Sequence, residues 1–413
     1  MSPMYDRLET NIPRGLMGFN ELNWPEDCQL FPPHEEVLGY IERYAEEVQH
    51  MIEYERQVLD IHLQPDGKWL VKTQKVSHDN NNNTRTTIRE ETFDAIASAN
   101  GHFNIPYIPS VPGIEAFNTT HPNTITHSKF YRRPEDFVNE KVIVIGNSAS
   151  GIDIGAQITQ TCAHPLLISS RSESYLNPDP SPDDGKTSQK PEITAYLPET
   201  RGVRFADDTV ETGVDAIVYC TGYFYSFPFF PSSSRPAPDL PPLITTGERV
   251  QNTYQHLFYA PAPTLAFPVL GQKVIPFPVA EAQAAVLARV WSGRLSLPSR
   301  EEMEVWERRE VERKGAGRGF HVLKFPEDGR YINMLSEWAG IADGEGKNCV
   351  GKSPPWWGEK AFWARERFPA IKKAFQGFGG ERHGKRRLED VGFDFQAWKR
   401  EQQGVDGVAG NGS

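Results

Sequence analysis

Apolar positions change their period several times along the chain, and each change marks an element. Residues 31–49, FPPHEEVLGYIERYAEEVQ, place Val37, Leu38, Ile41, Tyr44, Ala45 and Val48 at helical spacing behind paired prolines and acids, which predicts an amphipathic helix. From about 54 to 78 the period falls to two around the turn PDGKW, predicting a hairpin, and DNNNNTRTT at 79–87 is a polar excursion between strands. Lys141 to Ile145 is instead a continuous run of β-branched residues, as expected of a strand buried on both faces. Ile152, Ile154 and Ile158 follow it at helical positions, and PLLISSR at 165–171 predicts a second strand. The stretch 174–200 is rich in proline and acid and reads as a surface loop, while 202–223 reads as a hairpin feeding a last core strand. Beyond a proline-rich crossing segment, residues 253–270 predict a further strand pair, and a helix runs from Glu281 to its stop at Gly293. From about 300 the chain is charged and helical, with an aromatic-rich stretch (Trp356, Trp357, Phe362, Trp363) and a polar tail, VDGVAGNGS.

One of these patterns occurs twice. Residues 93–103 read FDAIASANGHF and residues 214–224 read VDAIVYCTGYF, agreeing at Asp, Ala, Ile, Gly and Phe in the same order. Two similar strand-to-turn units imply two similar domains. Within the second, KVIVIGNSASGIDIGAQI sets Gly146, Ser148 and Gly151 at the first, third and sixth places of the dinucleotide fingerprint, with serine in the middle place. Gly146 permits a tight turn, a small residue at 148 lets the backbone approach a diphosphate, and the helix beyond presents free N–H groups and a positive dipole end. No acid stands at the end of the second strand, where the ribose of NAD would need one. Arg171 and Ser172 stand there instead and suit the extra phosphate of NADP; an exposed arginine at a strand end is the plainer reading. A duplicated plan demands a glycine turn before residue 93 as well. Gly15, Gly18, Gly39 and Gly67 fall in no such pattern, so either the first unit bound no nucleotide or the chain begins after its first βαβ element. The second reading is preferred, because a strand at 93–99 needs flanking partners in a parallel sheet.

Composition narrows the class. With 413 residues, 38% apolar and 24% charged, the chain is long enough for two to three domains at about 150 residues each. A net charge of −11 repels phosphate backbones and argues against a nucleic-acid partner. The four cysteines, Cys28, Cys162, Cys220 and Cys349, form no C-x-x-C pair, which argues against a disulfide scaffold, a zinc site and a redox dithiol. Asp6 and Glu9 interrupt the start where a secretory signal would be apolar, so a cytoplasmic protein is expected. The longest uncharged stretch, Val250 to Gln272, is broken by Pro261, Pro263 and Pro268, and no membrane span is expected.

The stretches MYDRLETNIPRGLMGF, FPPHEEVLGYIERYA, ANGHFNIPYIPSVPGI, KVIVIGNSASGIDI, VDAIVYCTGYFYSFPF and FPVAEAQAAVLARVWSGRLSLPS, in this order, resemble the flavin-containing monooxygenases, particularly the fungal, dimethylaniline monooxygenase-like branch. The resemblance implies an α/β fold of two Rossmann-like domains, with an NADP domain inserted in a truncated FAD domain. The expected boundaries are 1–128 and 234–345 for the FAD domain, 129–233 for the NADP domain and 346–413 for a helical, flexible extension. It further implies FAD and NADP as cofactors and molecular oxygen as co-substrate. Oxygen would pass through a C4a-hydroperoxyflavin to a soft nitrogen or sulfur of a small molecule. Residue by residue, Asn11 matches the asparagine lying over the flavin. Gly146, Asn147, Ser148, Ala149, Ser150 and Gly151 match the NADP loop, and Arg171 with Ser172 the 2′-phosphate clamp. Asn100 and Gly101, Thr221 and Gly222 match two strand-end turns near the cofactors, and Gln283 a position on the helix approaching the flavin. The family's FxGxxxHxxx[YF] element survives only as His121, Asn123, His127 and Tyr131, and the amino-terminal FAD phosphate loop has no counterpart. An NADP-binding pseudoenzyme without flavin turnover is therefore the competing expectation, and a homodimer is left open.

Overall fold

The computed structural model describes residues 2–78, 84–172, 185–230, 235–342 and 351–408. The asparagine run at 79–83, the start of the acidic loop at 173–184, Cys349 and the end of the tail lie outside the described residues. The helices are α1 (His34–Ala45), α2 (Ile114–Thr120), α3 (Ala149–Ile158), α4 (Pro276–Trp291), α5 (Arg300–Lys314), α6 (Glu327–Ile341), α7 (Glu359–Gly377) and α8 (Phe395–Val408). The chain forms two compact units, Met1–Glu9 with His102–Phe224, and Thr10–Gly101 with Tyr225–Ser413, so that all of the first but its opening nine residues is inserted in the second.

The first unit is built on a five-stranded, wholly parallel sheet in the order Ile125–His127, Ala216–Tyr219, Val142–Ile145, Leu166–Ser169, Thr187–Lys190. Alternate residues of the central strands serve opposite faces, as the pleat requires. Val142, Val144 and Val218 pack with Ile154 and Ile158 of α3, whereas Ile143, Ile217 and Leu167 pack with Phe117, Val203 and Phe205. Full burial of each such side chain is worth about 1.5–3 kcal/mol, which explains why the β-branched run reads so plainly. The hairpin after residue 202 also forms, as Gly202–Phe205 paired with Val210–Glu211. The proline- and acid-rich stretch is not all loop, because Thr187–Lys190 adds to the sheet edge and Ile193–Leu197 pairs with Gly202–Phe205. An edge strand reading Thr-Ser-Gln-Lys has no apolar period, and its backbone pairing with Leu166–Ser169 makes it a strand.

Besides the break at 9/10, the units divide at 101/102 and 224/225 rather than at the expected 128/129 and 233/234. At the first, Ile125–His127 joins the parallel sheet beside Ala216–Tyr219, carrying α2 into the inserted unit. At the second, Tyr225, Phe227 and Phe230 bury themselves in the core of the other unit.

The second unit packs α4 and α6 against a four-stranded sheet, ordered Thr253–Tyr254, Phe258–Tyr259, Leu265–Ala266, Ile96–Ala97, whose last pair is parallel. An antiparallel meander, Arg56–Leu63, Trp69–His78 and Thr84–Phe93, extends the expected hairpin by one strand. Helix α4 starts at Pro276 rather than Glu281, since proline is preorganised for a first helical turn. The two echoed segments share more than letters. Each carries a strand paired in parallel with a neighbour, and each turns at a left-handed glycine, Gly101 at φ +70° and Gly222 at φ +84°.

Candidate functional site

The glycine turn of the first unit is shaped by two close backbone approaches. Gly146 lies at φ +107°, and a Cβ on it would come within 2.7 Å of the Cys220 carbonyl oxygen; one on Gly151 would sit 1.8 Å from the carbonyl oxygen of Gly146. Both places therefore exclude a side chain, and the strand end and the start of α3 lie nearly in backbone contact. Ser148 caps α3 in an extended conformation without using its hydroxyl as a cap. Ala149, Ser150 and Gly151 form the first helical turn, whose N–H groups have no intrahelical acceptor and face the positive end of the dipole. A cradle that no Cβ can enter, floored by free amides, fits a dinucleotide diphosphate. Asn147 Nδ2 donates to the Ser172 carbonyl at 2.6 Å, tying the turn to the strand end that bears Arg171. The strand end holding Thr221 and Gly222 belongs to the adjoining central strand; the Thr221 hydroxyl donates to the Tyr107 carbonyl, and the Gly222 carbonyl accepts from Tyr107 N–H at 2.9 Å. His127, 1% exposed, bonds through Nε2 to the same Gly222 carbonyl at 3.0 Å, and burial pushes its pKa down to about 4. It is therefore neutral at pH 7 and braces the turn.

Arg171 is not alone at its strand end. Its Nε donates to Glu192 Oε2 at 2.6 Å, and both side chains stand in solvent, 74% and 48% exposed. The acid comes from the edge of the sheet rather than from the strand end itself, so a local reading misses it. An exposed pair of this kind is worth about 0–1 kcal/mol, little enough for a phosphate to displace. Arg171→Ala is expected to weaken NADPH binding by about 1–2 kcal/mol while leaving NADH nearly unchanged, measured as the two dissociation constants; equal losses for both nucleotides would refute the phosphate assignment.

In the second unit, Asn11 sits half-buried in a turn held from both sides. Thr10 N–H donates to the Pro32 carbonyl at 2.9 Å, the Thr10 hydroxyl to the Ile12 carbonyl at 3.0 Å, and Arg14 N–H to the Leu30 carbonyl at 2.9 Å. Among the described residues nothing hydrogen-bonds the Asn11 amide itself, which leaves it available to a ligand. Asn100 and Gln283 are placed differently. Asn100 accepts from Ser98 Oγ at 2.9 Å and donates to the Gly101 and Ser226 carbonyls, so its amide shapes the turn at exposed Gly101. Gln283 is wholly buried; Oε1 accepts from Val269 N–H at 2.7 Å and Nε2 donates to the Tyr331 hydroxyl at 2.9 Å. Its amide is spent within the protein, where it holds Val269 at φ +58°.

The loop so held, Val269–Val274, escapes the sequence reading. Gln272 N–H donates to the His321 carbonyl at 2.8 Å, Gln272 Nε2 to the Tyr225 hydroxyl at 3.1 Å, and Lys273 is again left-handed at φ +61°. The signal was a Gly-Gln-Lys break between a buried strand and the Pro276 helix start. Nearby in the chain, Leu16, Gly18, Phe19, Trp24, Pro278 and Trp357 line part of an open cleft of about 300 Å³. The Phe19 ring stacks on Tyr44 and Phe277 at centroid distances of 3.6 and 4.9 Å, and Trp24 on Tyr40 at 3.9 Å. Glu281, 7% exposed, fastens this segment to α4 by accepting from Asn20 N–H at 2.9 Å, and burial raises its pKa. These residues suit the ring end of a flavin; a second diphosphate cradle is not found among the described residues. Nor do the described residues include a cluster of His, Cys, Asp and Glu able to hold a metal, or a helix long and apolar enough to cross a membrane.

The family model described as FMO-like, flavin-binding monooxygenase-like, matches residues 1–181 and 183–344. The chain belongs to this family. Its members are flavin-dependent oxidoreductases that use FAD and NADP on Rossmann-type domains. Among curated relatives, the flavin-containing monooxygenase iboF of Amanita muscaria is 30% identical over 81% of this chain and 70% of its own length. The flavin-containing monooxygenase FMO GS-OX3 of Arabidopsis thaliana is 33% identical over 73% of this chain and 63% of its own. Among solved structures, the S-allyl-L-cysteine S-oxygenase of Allium sativum superposes with a TM-score of 0.73 at 28% identity, covering 97% of this chain and 84% of that one. The chain thus spans about two thirds of the length of such curated relatives, and the family match stops before α7 and α8.

Proposed function

We propose that this flavin-binding monooxygenase-like protein uses NADPH and FAD to insert one oxygen atom into a soft nucleophilic nitrogen or sulfur of a small molecule. The observation that carries the reading is the Gly146–Gly151 cradle, a diphosphate site beside a basic rather than acidic strand end. A bound flavin would supply hydride acceptance from NADPH and activation of dioxygen, one oxygen atom passing to the nucleophile and the other, with a proton from solvent, leaving as water.

The protein's part in this chemistry is binding and shielding. The amides of the first turn of α3 hold the diphosphate, and Arg171, released from Glu192, holds the extra phosphate. The Asn11 amide donates a hydrogen bond to the bound cofactor or oxidant from a turn whose backbone is already fixed. Gln283 and Asn100 act through the loops they brace rather than by contact. The near-parallel rings around Phe19 and Trp24 keep water from one wall of the cleft. Nucleophilic sulfur and nitrogen need no general base, which agrees with a site that offers amides and rings in place of paired carboxylates. The name of the Allium relative, an S-allyl-L-cysteine S-oxygenase, favours a thioether among substrates. A cytosolic location belongs to the same reading.

The deciding experiment supplies the purified chain with FAD, NADPH and an alkyl aryl thioether under ¹⁸O₂. A sulfoxide carrying one labelled oxygen, formed only when FAD is present, is the expected result. NADPH binding without oxidation would overturn the reading in favour of a nucleotide-binding protein without turnover.

A further inference from the structure

Helix α7 lies beyond the residues matched by the family and carries two buried cations on one face. Arg365 and Lys372 are 5% and 8% exposed and two helical turns apart, with Phe368 and Phe375 completing the stripe. A charge withdrawn from water stays charged only where its donors are satisfied, so the partners of these two show what the helix is for. Arg365 Nε donates to Asp328 Oδ2 at 2.7 Å, and its Nη2 donates to the Lys273 carbonyl at 2.9 Å. Lys372 Nζ donates to the Thr10 carbonyl at 2.9 Å, with its ammonium 4.5 Å from the centre of the Phe31 ring and 5.5 Å from that of Phe375. One face of one helix thus grips the main chain of both segments described above, the Asn11 turn and the Val269–Val274 loop.

The Thr10 carbonyl belongs to the same peptide group as the Asn11 N–H. A cation on that oxygen sets the peptide plane, hence the direction in which Asn11 leaves the backbone, and it polarises the adjoining N–H. The grip is reinforced from the same side, since Phe31 packs on Phe375 and Leu30 N–H donates to the Lys385 carbonyl at 2.8 Å. We propose that Lys372 and Arg365 are positioning residues, by which α7 clamps both the Asn11 turn and the Val269–Val274 loop of the second unit. This rests on the flavin reading for its catalytic consequence, though not for the clamp itself.

The test uses the full chain with Lys372→Met, Lys372→Arg and Arg365→Lys, the last keeping the charge beside Asp328 while lacking the fork needed to reach Lys273 as well. Amide exchange is followed without cofactor, and the share of NADPH electrons ending in oxygenated product is followed with FAD supplied. K372M is expected to speed exchange about tenfold in the peptide 8–16 and to leave 269–276 unchanged, with K372R restoring protection. R365K is expected to do the converse, loosening 269–276 alone. Both loosened variants should divert electrons from product to hydrogen peroxide while the KM for NADPH stays within twofold. Unchanged exchange in K372M and R365K, or acceleration spread over the whole chain, would overturn the proposal. If K372M does not fold, K372Q takes its place in every arm with the same expectations. Absence of flavin-dependent turnover in the parent chain would strike the flavin reading alone, because the exchange arms would still show whether α7 holds the two loops.

Discussion

Gly151→Ala is expected to weaken NADPH binding more than a hundredfold and to lower the melting temperature of the chain. The added Cβ would lie 1.8 Å from the Gly146 carbonyl oxygen, so one of the two backbones must move by more than an ångström. Gly146 cannot retreat, because it is left-handed and itself backed by the Cys220 carbonyl. The cost in stability is about 1–3 kcal/mol as for other overpacked sites, and the displaced amides of α3 no longer converge on a diphosphate. Gly155→Ala supplies the control on the same helix. There a Cβ would meet only Leu166 Cδ2 at 3.7 Å, an ordinary contact, and alanine in a helix interior gains about 0.5–1 kcal/mol over glycine. The control should bind NADPH normally and melt slightly higher. A G151A protein that binds NADPH within threefold of the parent would remove the basis for the phosphate turn.

Acid is expected to destabilise the second unit through a buried histidine pair, on the order of 2 kcal/mol at pH 5 from His256 alone. His256 is 2% exposed, and its Nδ1 faces His321 Nδ1 at 3.1 Å, so one nitrogen donates and the other accepts. His321 is engaged through Nε2 with the Val250 backbone, at 3.1 Å to its nitrogen and 3.2 Å to its oxygen. A proton on the accepting Nδ1 would set two N–H groups against each other. Burial first, then the charges of Lys314 and Arg313, pushes the His256 pKa down to about 3. Unfolded histidine titrates near 6.5, so between that pH and about 3 the unfolded chain holds the extra proton. Stability from this group is complete above pH 6.5 and is lost as pH falls, about 1.4 kcal/mol per unit. His127, with its pKa near 4, acts in the same direction in the first unit. Buried Glu281 and half-buried Glu307, whose pKa values desolvation raises, act in the opposite direction, and a variant isolates the histidine term. Urea midpoints at pH 7.5 and 5.0 should differ less in His256→Gln than in the parent. Equal pH slopes would show that the pair is not the source.

Local pattern reached far in the inserted unit. A β-branched run, two glycines with a serine between them, and a following apolar helix are dictated by neighbours a few residues apart, so strand, turn and helix stand where the pattern puts them. The echo at 93 and 214 is legible for the same reason, since a left-handed glycine after a parallel strand is a requirement within one segment. Features made by distant pairing were not legible. Thr187–Lys190 is a strand only because Leu166–Ser169 lies beside it, and the domain boundary shifted to 101/102 because Ile125–His127 pairs with Ala216–Tyr219. Glu192 beside Arg171, the burial of Gln283 under Val269, and the cations of α7 on Thr10 and Lys273 join residues 14 to 362 positions apart. By itself the amino-acid order determined the α/β class, the tight glycine turn and the family, because steric and apolar demands act over a few residues. Only the tertiary structure decided which polar side chains are spent inside the protein and which remain for a ligand, because a buried amide or charge must find its partner wherever the chain happens to return.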